Sequence, residues 1–395
     1  MDERKSGAQS AIVVDQQWDQ ALEQALAQVQ DITADVVFVF LSSEYEPHYG
    51  EIITRIRKEL GNPILLGCSG QGIIGTDQEL EDLPSLSLLT LSLPDAVLRP
   101  VRLTQQLVET CIHPDEWRQQ LGIKQEEIHG WLVFADPFQM DCEGLIEGLA
   151  TAYPDVPLLG GLASGDIEGR YTHVFLNDDV YDDGGVALAI GGPYTLLPLV
   201  SQGCEPIGEP WTITKVMDNG LVEGISNRSA YEMLLRTFDS LNTELQKRAQ
   251  RNLLVGLAAD EYQDSFHRGS FLIRQLLGVD RRTGSLALAA LPRVGQTIQF
   301  QMRDAVSADL DLRELMQSVK LKLGEKRPLA GILCTCNGRG VGMFGVPDHD
   351  AGVIARELGQ IPLAGLFCNG EIGPIGKKSF LHGFTACLAL FIRQS

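Results

Sequence analysis

The chain has 395 residues, with 52 Asp and Glu against 32 Lys and Arg, giving a formal charge of −20. That acidic balance argues against nucleic acid and against anionic lipid, since both partners require concentrated cations. Hydrophobic residues at 44% and charged residues at 21% are ordinary for a globular protein and argue against a disordered chain.

The first ten residues are polar and lack the apolar core of a secretory signal. The longest uncharged stretch, 184–202, is interrupted by Gly191, Gly192, Pro193 and Pro198, so no membrane insertion is expected. Eight scattered cysteines form no disulfide framework, and a reduced, soluble, cytoplasmic protein is expected.

Trp18, Leu22, Leu26 and Val29 recur at helical spacing and predict a helix with Asp15 as its N-cap. One pattern then occurs three times: an apolar strand, a loop, an amphipathic helix, and a second strand led by proline and ending in glycines. The first copy is a strand over 36–41, a helix over about 47–60, then NPILLGCSGQGIIG. The second is a strand over 130–135, a helix around 142–153, then VPLLGGLASGD. The third is a strand over 330–334, a helix around 347–358, then IPLAGLFCNGEIG. Gly67/Gly72, Gly160/Gly165 and Gly365/Gly370 share one spacing, and each pair is preceded by Pro63, Pro157 or Pro362. Each copy predicts two parallel strands flanking a crossover helix.

Between the copies, strands are expected over 86–93, 96–103, 172–176 and 185–190, with DDGG at 182–185 as a hairpin turn. Pro and Gly are frequent from 191 to 210, which marks an expected domain boundary. Beyond it, AYEMLLRTF and DLRELMQSVKLKL read as helices and 252–258 as a strand. GSLALAALPRVGQTIQFQMRD reads as a strand pair joined by a turn. The fold class is mixed α/β, with repeated β-α-β units in two related domains of mixed sheets covered by helices. The expected division is an extension over 1–35, one domain over 36–200 and a second over 201–395.

Two stretches have dinucleotide-like glycine spacing. Gly70, Gly72 and Gly75 lack a following helix, and Gly340, Gly342 and Gly345 precede Asp348 and Asp350, which would repel phosphate. Cys334, Cys336 and Cys368 match no common zinc spacing, and no metal or cofactor is expected. Motifs for a serine hydrolase, a zinc protease or a P-loop are absent. What remains is polar chemistry at glycine-rich strand ends: Cys68 and Ser69; Ser164 and Asp166; Asn337 and Arg339; Cys368, Asn369 and Glu371. Such ends are where α/β folds place ligands. Arg339 can hold a ligand carboxylate and Glu371 an ammonium, or the two can pair with each other; both readings stay open.

GCEPIGEPWTITK, LIRQLLGVDRRTGSLAL, GQTIQFQMRDA, CNGRGVGMFG and PLAGLFCNGEIGP occur in this order and resemble the C-terminal half of the FIST family (F-box and intracellular signal transduction proteins). LLGCSGQGIIG and PLLGGLASGD resemble its N-terminal half. The resemblance implies a pair of sensory domains for small ligands, with amino acids or their derivatives suggested. In other members such modules accompany signalling domains or an F-box, neither of which is recognisable here. Residues carried over are Gly67, Cys68 and Ser69, then Cys204, Pro206, Gly208, Arg274, Arg303, Asp304, Cys336, Gly338, Arg339, Gly370 and Glu371. The chain departs from the N-terminal motif at Ile73, where an acidic residue is usual.

The expectation is a non-enzymatic binder of a small polar metabolite that signals through a partner protein. A different class, an enzyme using Cys68 or Cys336 as nucleophile, would require a thiol with a depressed pKa. A pure interaction scaffold would instead show a large exposed apolar patch.

Overall fold

A computed structural model describes residues 4–165 and 170–394. Two compact units divide the chain: Met1–Val200 together with Leu315–Ser395, and Ser201–Glu314. The contiguous 36–200 and 201–395 division read from sequence is thus a different partition of the chain.

The first unit is built on three parallel strand pairs, each wrapped around one helix as the sequence predicts. They are β1 (Val36–Ser42) with β2 (Ile64–Gly70), β3 (Ile128–Ala135) with β4 (Leu158–Leu162), and β5 (Ala330–Cys336) with β6 (Leu363–Cys368). The crossovers are α1 (Tyr49–Glu59), α2 (Cys142–Ala152) and α3 (His349–Leu358). Alternation along β1 explains why the strand is apolar throughout. Val36, Phe38 and Phe40 enter a central core, while Val37, Val39 and Leu41 meet Ile52, Ile53 and Ile56 of α1. All three sheets feed that core, where Phe38 packs on Phe391 at 6.0 Å and Phe40 on Phe134 at 5.3 Å.

After each parallel pair the chain makes a hairpin that joins a neighbouring repeat. Hairpin Gly72–Gly75/Gln78–Glu81 pairs with β6, Glu371–Ile375/Lys378–His382 with β4, and Val174–Leu176/Asp179–Tyr181 with β2. The exchange is cyclic, so the three six-stranded sheets form one closed set. Each sheet is completed by a returning strand and an outer strand. These are Ser85–Ser92 with Gly7–Val14, Gly185–Gly191 with Val97–Leu103, and Ala386–Arg393 with Tyr194–Ser201.

Several local expectations are corrected. Gly7–Val14 is a strand paired along its length with Ser85–Ser92, so the N-terminal segment is part of a sheet. Asp15 does not cap the first helix, Trp18–Gln28; its N-cap is Gln17, whose N–H donates to the Asp15 carboxylate at 2.9 Å. The Pro- and Gly-rich 191–210 segment holds two strands, Tyr194–Ser201 and Glu205–Val216. Pro210 falls where the latter strand breaks register, between Ile207 and Trp211. DDGG does not close a hairpin: the strand before it pairs with Val174–Leu176, and the strand after it with β3.

The second unit has a sheet ordered Glu205–Val216, Thr297–Met302, Leu253–Ala258, Phe271–Asp280, Ser285–Leu288, Val222–Ile225 and Arg228–Ser229. Glu205–Val216 also pairs with Val222–Ile225, which closes the sheet on itself. Ser285–Leu288 and Thr297–Met302 are not a pair; their partners are Phe271–Asp280 and Leu253–Ala258. Helix Ala230–Ser240 packs Ala230 and Met233 into the core of this unit. No helix among the described residues is long and apolar enough to cross a membrane.

Candidate functional site

The carboxyl ends of β2, β4 and β6 are bound to one another by hydrogen bonds. From the first repeat, the Ser69 hydroxyl donates to the Ser164 carbonyl at 2.7 Å and accepts the His173 N–H at 3.0 Å. From the second, Ser164 Oγ donates to the Phe367 carbonyl at 2.5 Å and accepts the Gln71 N–H at 2.8 Å. From the third, Asn369 Nδ2 donates to the Ala163 carbonyl at 3.1 Å, and Asn337 Nδ2 donates to Asn369 Oδ1 at 2.9 Å. The pairing of Phe367 with Gly72 joins the third repeat to the first and completes the ring, with Ser69 and Ser164 buried, Gln71 and Asn337 half-buried, and Asn369 exposed.

Asp136, buried just past β3, belongs to the same end and was missed by sequence reasoning. Its carboxylate accepts the N–H groups of Phe138 at 3.0 Å and Gln139 at 2.6 Å, and the Thr172 hydroxyl. An aspartate directly after an apolar strand and before Pro137 was the available signal. Arg170 lies on the Phe138 ring at 4.9 Å, and His173 faces Glu46 at 3.7 Å.

Arg339 settles its partner: the guanidinium is bidentate on Asp350, at 2.6 and 2.9 Å, and both side chains are buried. Asp350 also accepts Thr335 Oγ1 at 2.9 Å and lies 2.8 Å from His349 Nδ1. Burial opposes its charge, yet Arg339 and His349 outweigh burial and hold the carboxyl below its usual range. Glu79, on the hairpin lent by the first repeat, accepts the Ala351 N–H at 2.8 Å. Burial, followed by the Asp350 charge, pushes Glu79 up to about 8. Glu371 accepts the Thr385 N–H at 2.9 Å and the Thr385 hydroxyl at 2.8 Å; burial pushes it up to about 7. At the register of Glu371 the other two repeats carry Ile73 and Val174, so an acid stands at this register in one of the three described hairpins.

Both glutamates bind protons more tightly folded than unfolded, so their contribution is complete below about pH 4.5 and is lost as pH rises through 7 to 8. Glu371→Gln should therefore gain stability relative to the parent protein as pH rises from 5 to 8, read by melting at both pH values. Parallel melting curves would contradict the placement of this carboxyl.

Cys68, Cys334, Cys368 and Cys387 are buried, and desolvation raises all four thiols. A nucleophile needs the opposite shift. Cys336 is half-buried. Iodoacetamide at pH 8 is expected to leave those four thiols unmodified in the native protein and to label them after denaturation, as read by peptide mass mapping. Fast native labelling of Cys68 would restore it as a nucleophile.

Gly67 is a packing position on β2. Cys204, Arg274, Arg303 and Asp304 belong to the second unit. There Asp304 binds Arg248 at 2.6 and 3.0 Å and accepts the Ser307 N–H at 2.9 Å. Burial pushes the Asp304 carboxyl up, but these contacts bring it below its usual range. Arg274 donates to the Ile273 carbonyl at 3.0 Å, and Cys204 is buried. Asp166 lies outside the described residues. Two surface depressions lie away from the ring. One of about 570 Å³ is lined by Arg118 and Gly122–Glu126, and one of about 420 Å³ by Lys320, Arg327 and Glu357.

Comparison with known proteins matches the FIST N domain to residues 35–228 and the FIST C domain to residues 230–374. The chain belongs to the FIST family. Relatives of this FIST chain include an uncharacterized Mycobacterium tuberculosis protein, 36% identical over 345 residues and 87% of each chain. Another is an uncharacterized Mycobacterium bovis protein, 34% identical over 380 residues, 94% of this chain and 95% of the relative. A crystal structure of cyanuric acid hydrolase from A. caulinodans aligns over 99% of this FIST chain and 100% of its own, with a TM-score of 0.36 and 9% identity. That likeness is too slight to bear on function.

Proposed function

We propose that this FIST chain is a sensory protein that binds a small polar metabolite at the ring of strand ends and signals through a partner protein. The observation that carries this reading is the convergence of Ser69, Ser164 and Asn369. They come from three repeats, yet they are hydrogen-bonded at the carboxyl ends of parallel strands. That is the end at which α/β sheets take ligands. A ring assembled from three repeats also suits a sensor, because an occupant touching all of them couples their positions. The cysteine-nucleophile alternative falls back on Cys336, since burial raises Cys68.

Thermal melting of the full chain against amino acids, their derivatives and other small polar metabolites tests the proposal. A ligand present at 100 times its Kd adds about 2.7 kcal/mol of stability. At least one compound is expected to raise the melting temperature, and Ser164→Ala to abolish that response. A flat response across the panel from well-folded protein would contradict it.

A further inference from the structure

Two amide oxygens on the ring are buried without a protein donor: Gln71 Oε1 and Asn337 Oδ1. Hydrogen-bond logic fixes the orientation of Asn337. The Ala163 carbonyl only accepts, so Asn369 must turn its Nδ2 toward it, which leaves Asn369 Oδ1 facing Asn337. Asn337 must then donate with its own Nδ2, and the reverse orientation would set two oxygens against each other. Its Oδ1 is the atom left over. Gln71 joins the same network through its backbone N–H on Ser164 Oγ, and Ser164 is bonded in turn to Phe367, two residues before Asn369. Buried oxygens of this kind are exceptions in native proteins and call for a donor.

The charges near the ring point the same way. Asp136 and Glu46 are acidic, and Arg339, the guanidinium expected from sequence to hold a carboxylate, is bound face to face with Asp350. Among the described residues near this end, Arg170 rests on Phe138 and His173 faces Glu46.

We infer that the ring recognises its solute through N–H donors, an ammonium or amide group received by the carbonyl oxygens of Asn337 and Gln71. This rests on the ligand-binding reading above and narrows it. A ligand carboxylate, if present, is not what the ring reads.

The test pairs compounds that differ only in N–H groups, melted with the full chain: glycine against its N-trimethyl betaine, primary amines against tertiary amines, and acetamide against N,N-dimethylacetamide. The N–H member of an active pair is expected to bind at least about tenfold more tightly than its methylated counterpart. Gln71→Glu, which adds charge and leaves the ring intact because Gln71 joins it through its backbone N–H, should tighten an ammonium ligand severalfold. Asn337→Leu should abolish the response, and Asn337→Ser carries the test if that variant fails to fold. Equal binding of methylated counterparts, or an ammonium ligand unaffected by Gln71→Glu, would overturn this inference and leave the binding site standing. No shift with any compound, with only ordered water on Asn337 Oδ1 in a crystal, would overturn both.

Discussion

Gly67→Ala, Gly160→Ala and Gly365→Ala should each destabilise the protein by about 3 kcal/mol or more, at or beyond the upper end of ordinary overpacking. The three glycines occupy equivalent registers, opposite Val39, Val133 and Leu333 of the parallel partner strand. A Cβ at these positions would lie 1.7, 1.9 and 1.9 Å from the facing carbonyl oxygens. The obstacle is backbone inside a sheet, so no rotamer change relieves it. Gly160 adds a φ of +139°, which L side chains rarely adopt. Gly50→Ala on α1, where a Cβ meets nothing within 4 Å, is the matched control and should be neutral or stabilising by up to about 1 kcal/mol. Melting of the four variants side by side reads the result. Three strand variants as stable as the control would mean that the parallel pairs are not packed as described.

Asp350→Ala should cost about 3–5 kcal/mol, because it removes the buried carboxylate that holds the buried Arg339 guanidinium by two hydrogen bonds. Arg339→Met is expected to cost a similar amount, since the carboxylate would keep only Thr335 and His349. Replacing both together, Arg339→Met with Asp350→Leu, should recover most of the loss. Desolvating two charges opposes their mutual attraction, and an apolar pair of like volume often does as well. The double-mutant cycle measures the coupling. Additive losses would show that the two groups do not interact. The pair also fastens the base of the ring: Arg339 follows Asn337 by two residues, and Asp350 sits in the first turn of α3.

The three β-α-β units were legible because their signals are local: an apolar run, helical spacing, and glycine or proline stops at fixed offsets. Partner choice was not. The hairpin at Gly72–Gly75 pairs with β6, nearly three hundred residues away, and nothing in GIIG says which repeat it will join. Gly7–Val14 went unread because its partner strand begins at Ser85 and its own pattern is half polar. The glycine corners did mark Ser69, Ser164, Asn337, Asn369 and Glu371, all placed in the first unit by the fold. Arg339 has Asp350, Glu371 and Glu79 within electrostatic reach, and chain distance does not rank them. Asp350 won because it opens a helix whose buried face turns toward β5, while Glu371 is taken up by Thr385.

Amide hydrogen exchange of the full chain, with and without the metabolite that gives the largest thermal shift, tests the account most directly. Protection gathered at 67–72, 162–165, 335–339 and 367–371 together is the predicted result. Protection confined to the depression around 118–126, or to the one around 320–328, would place the solute elsewhere and contradict the ring as the receptor.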